Sequence, residues 1–133
     1  SKIVRAPSYI RTDVEVKSLE IISGISEHHL IEIVGTLVDN AYEACTRERN
    51  RVSMELDSEN DKLVFVIRNQ VCGMKMGDVR KFFEKGYSTK NDADRHGLGL
   101  YNAKMLVGRY HGDITVSLDK ADEKDMICMK VVI

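Results

Sequence analysis

The sequence predicts an α+β fold, a two-layer α/β sandwich in which helices cover one face of a mixed, mostly antiparallel sheet. Two long segments carry apolar residues at helical spacing, and five short segments are alternating or densely apolar, as strands are. Four of the strand segments form two pairs joined by polar turns, which is typical of hairpins. The length of 133 residues suits one domain. We assign 1–11 to a linker or edge segment and 12–133 to the domain.

Composition and charge exclude several classes of protein. Lys plus Arg number 20 and Asp plus Glu 21, so no basic footprint for nucleic acid is expected. No apolar run is long enough to span a membrane, and no signal peptide opens the chain. Cys45, Cys72 and Cys128 are far apart and lack a CxxC spacing, which predicts neither a zinc site nor a disulfide framework and fits a reduced cytosolic setting. Because the first residue is Ser rather than Met, we expect either a piece excised from a longer protein or the remnant of a tag.

The first elements are a strand and a long helix. A strand is predicted within 12–22, and Gly24 ends it. Ser26 suits a helix N-cap, and the helix is predicted to run from there to about Glu48. One helical face is apolar, and it consists of Leu30, Ile33, Val34, Leu37, Ala41 and Ala44.

A polar strip borders that apolar face. Asn40 falls at its rim, and Thr36, Glu43 and Arg47 share the same flank. Such a strip can cap the edge of a core or line a pocket whose floor is the core. The downstream sequence favours the pocket.

A hairpin follows, with an alternating strand at Arg51–Asp57 and a more apolar, central strand at Lys62–Asn69. The stretch 70–95 is irregular, apart from a short helix that is predicted at 76–84. A loop this long in a small domain is usually functional or mobile, and we expect it to form a lid over the helices.

The second long helix is predicted from His96 to Tyr110, and Gly112 is expected to end it. Gly97-Leu98-Gly99-Leu100 stands at its predicted start, where glycines let main-chain N–H groups approach an anion. Strands at 113–119 and 126–133 form the last hairpin.

Three features therefore suggest a binding site: Asn40, Asn69 at the end of a buried strand and followed by Gly73, and the glycines from Gly97. Each alone is more often structural, as a satisfied amide, a turn former or a turn glycine. Their occurrence together in this order favours one cleft. His28 and His29 are predicted to be structural, because adjacent helical side chains point about 100° apart and do not chelate together.

Two motifs resemble a known superfamily. Thr36 to Ala44 (TLVDNAYEA) resembles the N-box of the GHKL nucleotide-binding superfamily. Phe82 to Lys90 (FFEKGYSTK) followed by Gly97 to Lys104 (GLGLYNAK) resembles the lid and G2-box of sensor histidine kinases. The segment FEKGYSTK is similar to the corresponding segment of citrate/dicarboxylate sensors and of peptide-pheromone (accessory gene regulator) sensors. The resemblance covers about 26–118 and implies a Bergerat-type fold that binds ATP and Mg²⁺.

The resemblance also implies residue roles. Asn40 would coordinate the Mg²⁺ that bridges the ATP phosphates, and Asn69 would stand where the G1-box has an adenine-binding Asp. Phe83 would anchor the lid. The remaining residues that the resemblance places around the nucleotide are Glu43, Ala44, Arg47, Gly73, Met74, Tyr87, Ser88, Thr89, Lys90, Gly97, Leu98, Gly99 and Leu100.

The sequence departs from the family pattern in three places. The G1 pattern DxGxG reads Asn69-Gln70-Val71-Cys72-Gly73, so weaker nucleotide affinity is expected. The G2-box lacks an earlier glycine and has His96 before Gly97. Thr36 stands where ATP-hydrolysing members of the superfamily place a catalytic Glu, which argues against an ATP-hydrolysing machine.

None of His28, His29, His96 and His111 has the helical context of a phospho-acceptor. The resemblance therefore implies the ATP-binding half of a kinase, with no catalytic nucleophile of its own and monomeric as a fragment. The implied partners are its own upstream dimerisation domain, which makes the full-length protein a homodimer, and a response regulator. The implied location is the cytoplasmic side of a membrane-anchored sensor. Two alternatives stay open: a serine-protein kinase or anti-sigma factor of the same superfamily, and a degenerate module that no longer binds nucleotide.

Overall fold

The computed structural model describes residues 8–18, 24–71, 77, 81, 93–121 and 124–133. The predicted short helix at 76–84 and the lid lie outside the described residues, apart from positions 77 and 81. The elements, in chain order, are β1 Arg11–Val16, α1 Glu27–Ala44, β2 Arg51–Glu59, β3 Lys62–Gln70, α2 Ala93–Arg109, β4 Asp113–Ala121 and β5 Lys124–Val132. Strand β1 is shorter than the predicted strand, and 19–23 lie outside the described residues.

The strands form one sheet in the order β1-β2-β3-β5-β4. Only the β1–β2 pair among them is parallel, and the other pairs are antiparallel, so the mixed, mostly antiparallel sheet is confirmed. The turn between β2 and β3 places Asn60 and Asp61 at φ of 52° and 62°. Two successive positive φ angles match the twist of a tight hairpin, and Asn and Asp tolerate them better than most residues do.

Alternation along the strands separates the two faces of the sheet. Leu63, Phe65 and Ile67 point toward the helices and are 1%, 4% and 2% exposed. They pack with Ile33, Leu37, Ala41 and other apolar residues of α1 and α2 in the main core. On the opposite face, the described residues form a smaller apolar cluster of Val64, Val66 and Cys128, with the partly buried Val132 packed against it. The two-layer arrangement is therefore confirmed, with both helices on one face.

Helix α1 begins as predicted but ends early. The Ser26 side chain accepts a hydrogen bond from the backbone N–H of His29 at 3.3 Å, which confirms the N-cap. The prediction that the helix reaches Glu48 is wrong, because α1 ends at Ala44. Beyond it, the backbone N–H of Arg49 donates to Thr46 Oγ1 at 3.1 Å, and the Thr46 N–H donates to the Arg49 carbonyl at 3.0 Å. This local hydrogen bonding competes with a further helical turn.

Helix α2 ends in a Schellman motif. The N–H of Gly112 donates to the Val107 carbonyl at 3.1 Å, and the N–H of His111 donates to the Gly108 carbonyl at 3.0 Å. His111 takes the left-handed position at φ 60°, so Gly112 is not the left-handed residue. Gly112 is needed for space instead, because an added Cβ would lie 2.6 Å from the Val132 carbonyl oxygen.

Cys45 and Cys128 are free, buried thiols, and Cys72 lies outside the described residues. Burial raises the pKa of both described thiols, which keeps them protonated and unreactive at neutral pH. They therefore act as core residues.

We predict that Gly112→Ala lowers the free energy of unfolding by about 1–3 kcal/mol, because the methyl group overlaps the backbone of β5. Urea unfolding followed by circular dichroism measures this. Gly108→Ala is the control, since its Cβ meets nothing within 4 Å and a helical Gly→Ala change stabilises by up to about 1 kcal/mol. Equal stability of the two variants would contradict the close approach of Gly112 to β5.

Candidate functional site

Several of the predicted site residues that the structure describes lie on elements that reach the same end of the sandwich. Strand β2 begins soon after α1 ends, and its Val52 pairs with Asn69 near the end of β3. Met126 of β5 pairs with Gln70 on one side and with Asp119 of β4 on the other. The last part of β4 therefore lies at the same end of the sheet as Asn69. The C-terminal ends of α1, β3 and β4 therefore share one end of the sheet.

Helices α1 and α2 pack antiparallel to each other. Near the site, a Cβ added at Gly99 would lie 3.5 Å from Thr36 Cγ2. At the other end, the Tyr110 hydroxyl makes a short hydrogen bond with His29 Nδ1 and donates to Ser26 Oγ at 3.4 Å. The N-terminal part of α2 therefore lies along the flank of α1 that carries Thr36. His29 has the structural role that was predicted for it.

Asn40 lies on the same flank, one turn after Thr36. Its side-chain Nδ2 donates to the Thr36 carbonyl at 2.8 Å, and the residue is half-buried. This bond holds the amide plane against the preceding turn of the helix. Glu43 and Ala44 follow on the exposed last turn. The last turns of α1 thus carry an amide, a side chain whose oxygen is of the hard-ligand type, one turn beyond the residue that approaches α2.

Asn69 is a buried polar residue at the rim of the core. It is 6% exposed and continues the helix-facing series of Leu63, Phe65 and Ile67 along β3. Its Nδ2 lies 3.5 Å from the Gln70 carbonyl, at the outer limit of a hydrogen bond. A buried amide can make up to four hydrogen bonds, so Asn69 has capacity to recognise a polar ligand.

The glycine motif does not open α2. The helix begins at Ala93, so the prediction of a start at His96 is wrong. The N–H groups from Gly97 to Leu100 therefore lie inside the helix, and the unpaired N–H groups belong to earlier residues. The chain favours an earlier start because Ala93 is a strong helix former and Asp94 suits the positive end of the helix dipole. The Leu100 side chain is in the core and is 8% exposed.

Arg47 lies beyond the end of α1. Because α1 ends at Ala44, Arg47 lies in the following turn, and its guanidinium carbon is 5.2 Å from the centroid of the Tyr9 ring. Tyr9 precedes β1, which pairs with β2 at the edge of the sheet. Helical periodicity therefore does not fix the position of Arg47, and its predicted role beside the nucleotide stays a prediction.

The remaining predicted site residues lie outside what the structure describes, so their roles stay predictions. They are Gly73, Met74, Phe83, Tyr87, Ser88, Thr89 and Lys90, together with the side chain of Leu98.

In the described ranges, no three His, Cys, Asp or Glu side chains are arranged to hold a metal ion by themselves. Neither α1 nor α2, the helices of the described part of the chain, has the length and hydrophobicity of a membrane-spanning segment.

Sequence reasoning missed two contacts at the site. The Thr36–Gly99 contact and the cation–π contact between Arg47 and Tyr9 both join segments that are far apart in the chain. No local signal in the sequence indicates either of them, because each depends on how the elements pack.

Comparison with known proteins gives consistent results. The sequence profile of a family described as histidine kinase-, DNA gyrase B-, and HSP90-like ATPase matches residues 25–130. The sensor histidine kinase DpiB of Escherichia coli K12 is 39% identical over 97 residues, which cover 70% of this chain and 18% of that protein. A probable C4-dicarboxylate sensor kinase of Halalkalibacterium halodurans is 35% identical over 96 residues, covering 70% of this chain and 18% of that protein.

A solved structure, a mycobacterial sensor histidine kinase MprB, superposes with a TM-score of 0.71 at 22% identity. The superposition covers 94% of this chain and 83% of that one. At this identity the likeness shows the fold. The chain spans about one fifth of the length of the curated relatives it matches.

We predict that Gly99→Ala raises the free energy of unfolding by roughly 0.5–1 kcal/mol. The added methyl group would make only an ordinary van der Waals contact with Thr36, while alanine favours the helix. Thermal and urea unfolding measure this, with Gly108→Ala as the control at an exposed position of the same helix. Destabilisation by Gly99→Ala alone would show that helix packing requires the glycine.

Proposed function

We propose, since this chain belongs to the histidine kinase-, DNA gyrase B- and HSP90-like ATPase family, that it is the ATP-binding half of a sensor histidine kinase. In this proposal it binds Mg²⁺-ATP and presents the γ-phosphoryl group to a histidine on a separate dimerisation domain. The observation that carries the proposal is the meeting of Asn40, Asn69 and the N-terminal part of α2 at one end of the sandwich.

Asn40 is the residue that would hold Mg²⁺. This ion takes few protein ligands and most of its coordination from phosphate oxygens and water, so one amide oxygen is a suitable contribution. The hydrogen bond from Nδ2 to the Thr36 carbonyl supports this role, because it orients the amide. Bound Mg²⁺ would neutralise charge on the phosphates.

Asn69 would recognise the base. Its buried amide stands where the apolar face of β3 ends, so a planar ring can lie against apolar residues while its polar edge meets the amide. The side-chain oxygen accepts a hydrogen bond from an exocyclic amino group, but without the charge of an Asp. We therefore expect nucleotide affinity below that of relatives with Asp at this position.

The chain would contribute placement of the phosphoryl group, and the nucleophile would come from elsewhere. Thr36 stands beside Gly99 and has no carboxylate, so Thr36 cannot act as the general base for water. This favours transfer to a protein histidine over hydrolysis. The proposed partners are an upstream dimerisation domain and a response regulator, and the proposed location is the cytoplasmic side of a membrane-anchored sensor.

A second candidate is a module that has lost nucleotide binding, and the uncharged Asn69 favours it. A thermal-shift measurement separates the two, because a ligand that binds the folded state raises the melting temperature. Stabilisation by Mg²⁺ and a non-hydrolysable ATP analogue would support the kinase domain. No shift at millimolar nucleotide would support the degenerate module.

We predict that Asn40→Ala weakens binding of a Mg²⁺-bound ATP analogue at least about tenfold, roughly 1.4 kcal/mol, because the metal loses its protein ligand. Isothermal titration calorimetry in Mg²⁺ and in EDTA separates the metal-dependent part of the affinity for the analogue from the rest. Glu32→Ala changes an exposed residue of the same helix and should bind like the wild type. Unaltered Mg²⁺-dependent affinity in Asn40→Ala would refute the assignment.

We predict that Asn69→Asp tightens adenosine and ADP binding several-fold, since a charged acceptor makes a stronger hydrogen bond to the adenine amino group. The same change should lower stability, because it buries a carboxylate in the absence of ligand. Asn69→Leu, which removes the acceptor, serves as the opposite control. If Asn69→Asp and Asn69→Leu bind adenosine equally, the base does not lie at Asn69.

A further inference from the structure

The segment before β1 is tied to the turn that follows α1. The Asn50 side-chain Nδ2 donates to the Tyr9 carbonyl at 2.7 Å, and the Arg11 N–H donates to the Asn50 carbonyl at 2.8 Å. The Arg47 guanidinium stacks on the Tyr9 ring at 5.2 Å. These contacts attach both the backbone and the side chain of Tyr9 to the short turn between α1 and β2.

That turn belongs to the proposed nucleotide end of the molecule. It runs from the end of α1, which carries Asn40 and Glu43, to the start of β2, where Val52 pairs with Asn69. A second contact joins β1 to the end of α1: Thr12 Oγ1 donates to the Tyr42 hydroxyl at 3.4 Å. The chain at Tyr9 is therefore in contact with the segment that connects the elements carrying the two asparagines.

The other end of β1 has separate contacts. The Ser18 hydroxyl donates to Asp57 in a short hydrogen bond, and the Lys17 N–H donates to the Leu56 carbonyl at 2.8 Å. The hydrogen bonds from Ser18 and from the Ser58 N–H lower the pKa of Asp57. Leu56 pairs with Phe65, which lies toward the far end of β3 from Asn69. These contacts at the other end of β1 therefore provide a matched control within the same strand.

We propose that Tyr9, Arg47 and Asn50 are positioning residues of the nucleotide site, through which the chain before β1 and a bound nucleotide affect each other. The inference rests on the proposed function. Arg47 is exposed and Tyr9 and Asn50 are half-buried, so these contacts can break and re-form without opening the core. A nucleotide that binds at the end of α1 favours the state in which Tyr9 contacts Arg47 and Asn50. By linkage, that state raises the affinity for the nucleotide by the same factor.

The test uses the whole 133-residue chain and calorimetric titration with Mg²⁺ and a non-hydrolysable ATP analogue. Tyr9→Ala and Asn50→Ala should each weaken binding roughly fivefold, the lower end of usual coupling factors. Tyr9→Phe keeps the ring and should bind like the wild type. Ser18→Ala removes the tie at the far end of β1 and should lower stability while leaving the dissociation constant unchanged.

Hydrogen exchange of two backbone amides tests the reverse direction in the wild type. The nucleotide should slow exchange of the Arg11 N–H, which donates to Asn50, by a similar factor. It should leave the Lys17 N–H, at the other end of the strand, nearly unchanged.

The outcomes separate this inference from the proposed function. If the wild type does not bind the analogue, the proposed function fails and this inference fails with it. If the wild type binds and all four variants bind equally well, only the positioning role is overturned. A loss of affinity in Ser18→Ala equal to that in Asn50→Ala would also overturn it, since the effect would then come from general destabilisation.

Discussion

The antiparallel packing of α1 on α2 over one face of the sheet is the constraint on which the site depends. Two contacts mark its two ends: the hydrogen bonds of Tyr110 with His29 and Ser26, and the approach of Gly99 to Thr36. These contacts set the flank of α1 that faces α2. Asn40 lies on that flank, and the strand that follows its helix pairs with β3 at Asn69, so the proposed site requires both the helix pair and the sheet.

The chemistry of the cleft follows from where the core ends. The helix-facing side of β3 is apolar up to Ile67 and becomes polar at Asn69, which is still buried. In the proposed site, the base would meet these apolar residues and the Asn69 amide, and the phosphates would lie toward Asn40. Such a surface suits a purine nucleotide, and the proposed weaker affinity follows from the missing charge at Asn69.

Most of the fold could be predicted from local pattern, because apolar periodicity and turn residues act over short distances. The hairpins, the N-cap at Ser26 and the helix-covered face of the sheet were predicted correctly. The helix boundaries were predicted less well. Local hydrogen bonding of Thr46 stops α1 early, and favourable residues before His96 start α2 early. His111 occupies the left-handed position that the pattern assigns to glycine.

The sequence by itself determined the family and the element order, and it selected the two asparagines as candidates for the site. It could do so because motif spacing and periodicity are properties of the chain. Only the tertiary structure decided that β1 joins the sheet parallel to β2, that Arg47 stacks on Tyr9, and that Asn50 holds the incoming chain. The physical reason is that these contacts join segments distant in sequence. Their geometry depends on where α1 ends and on the register of the sheet, and neither can be read from a local pattern.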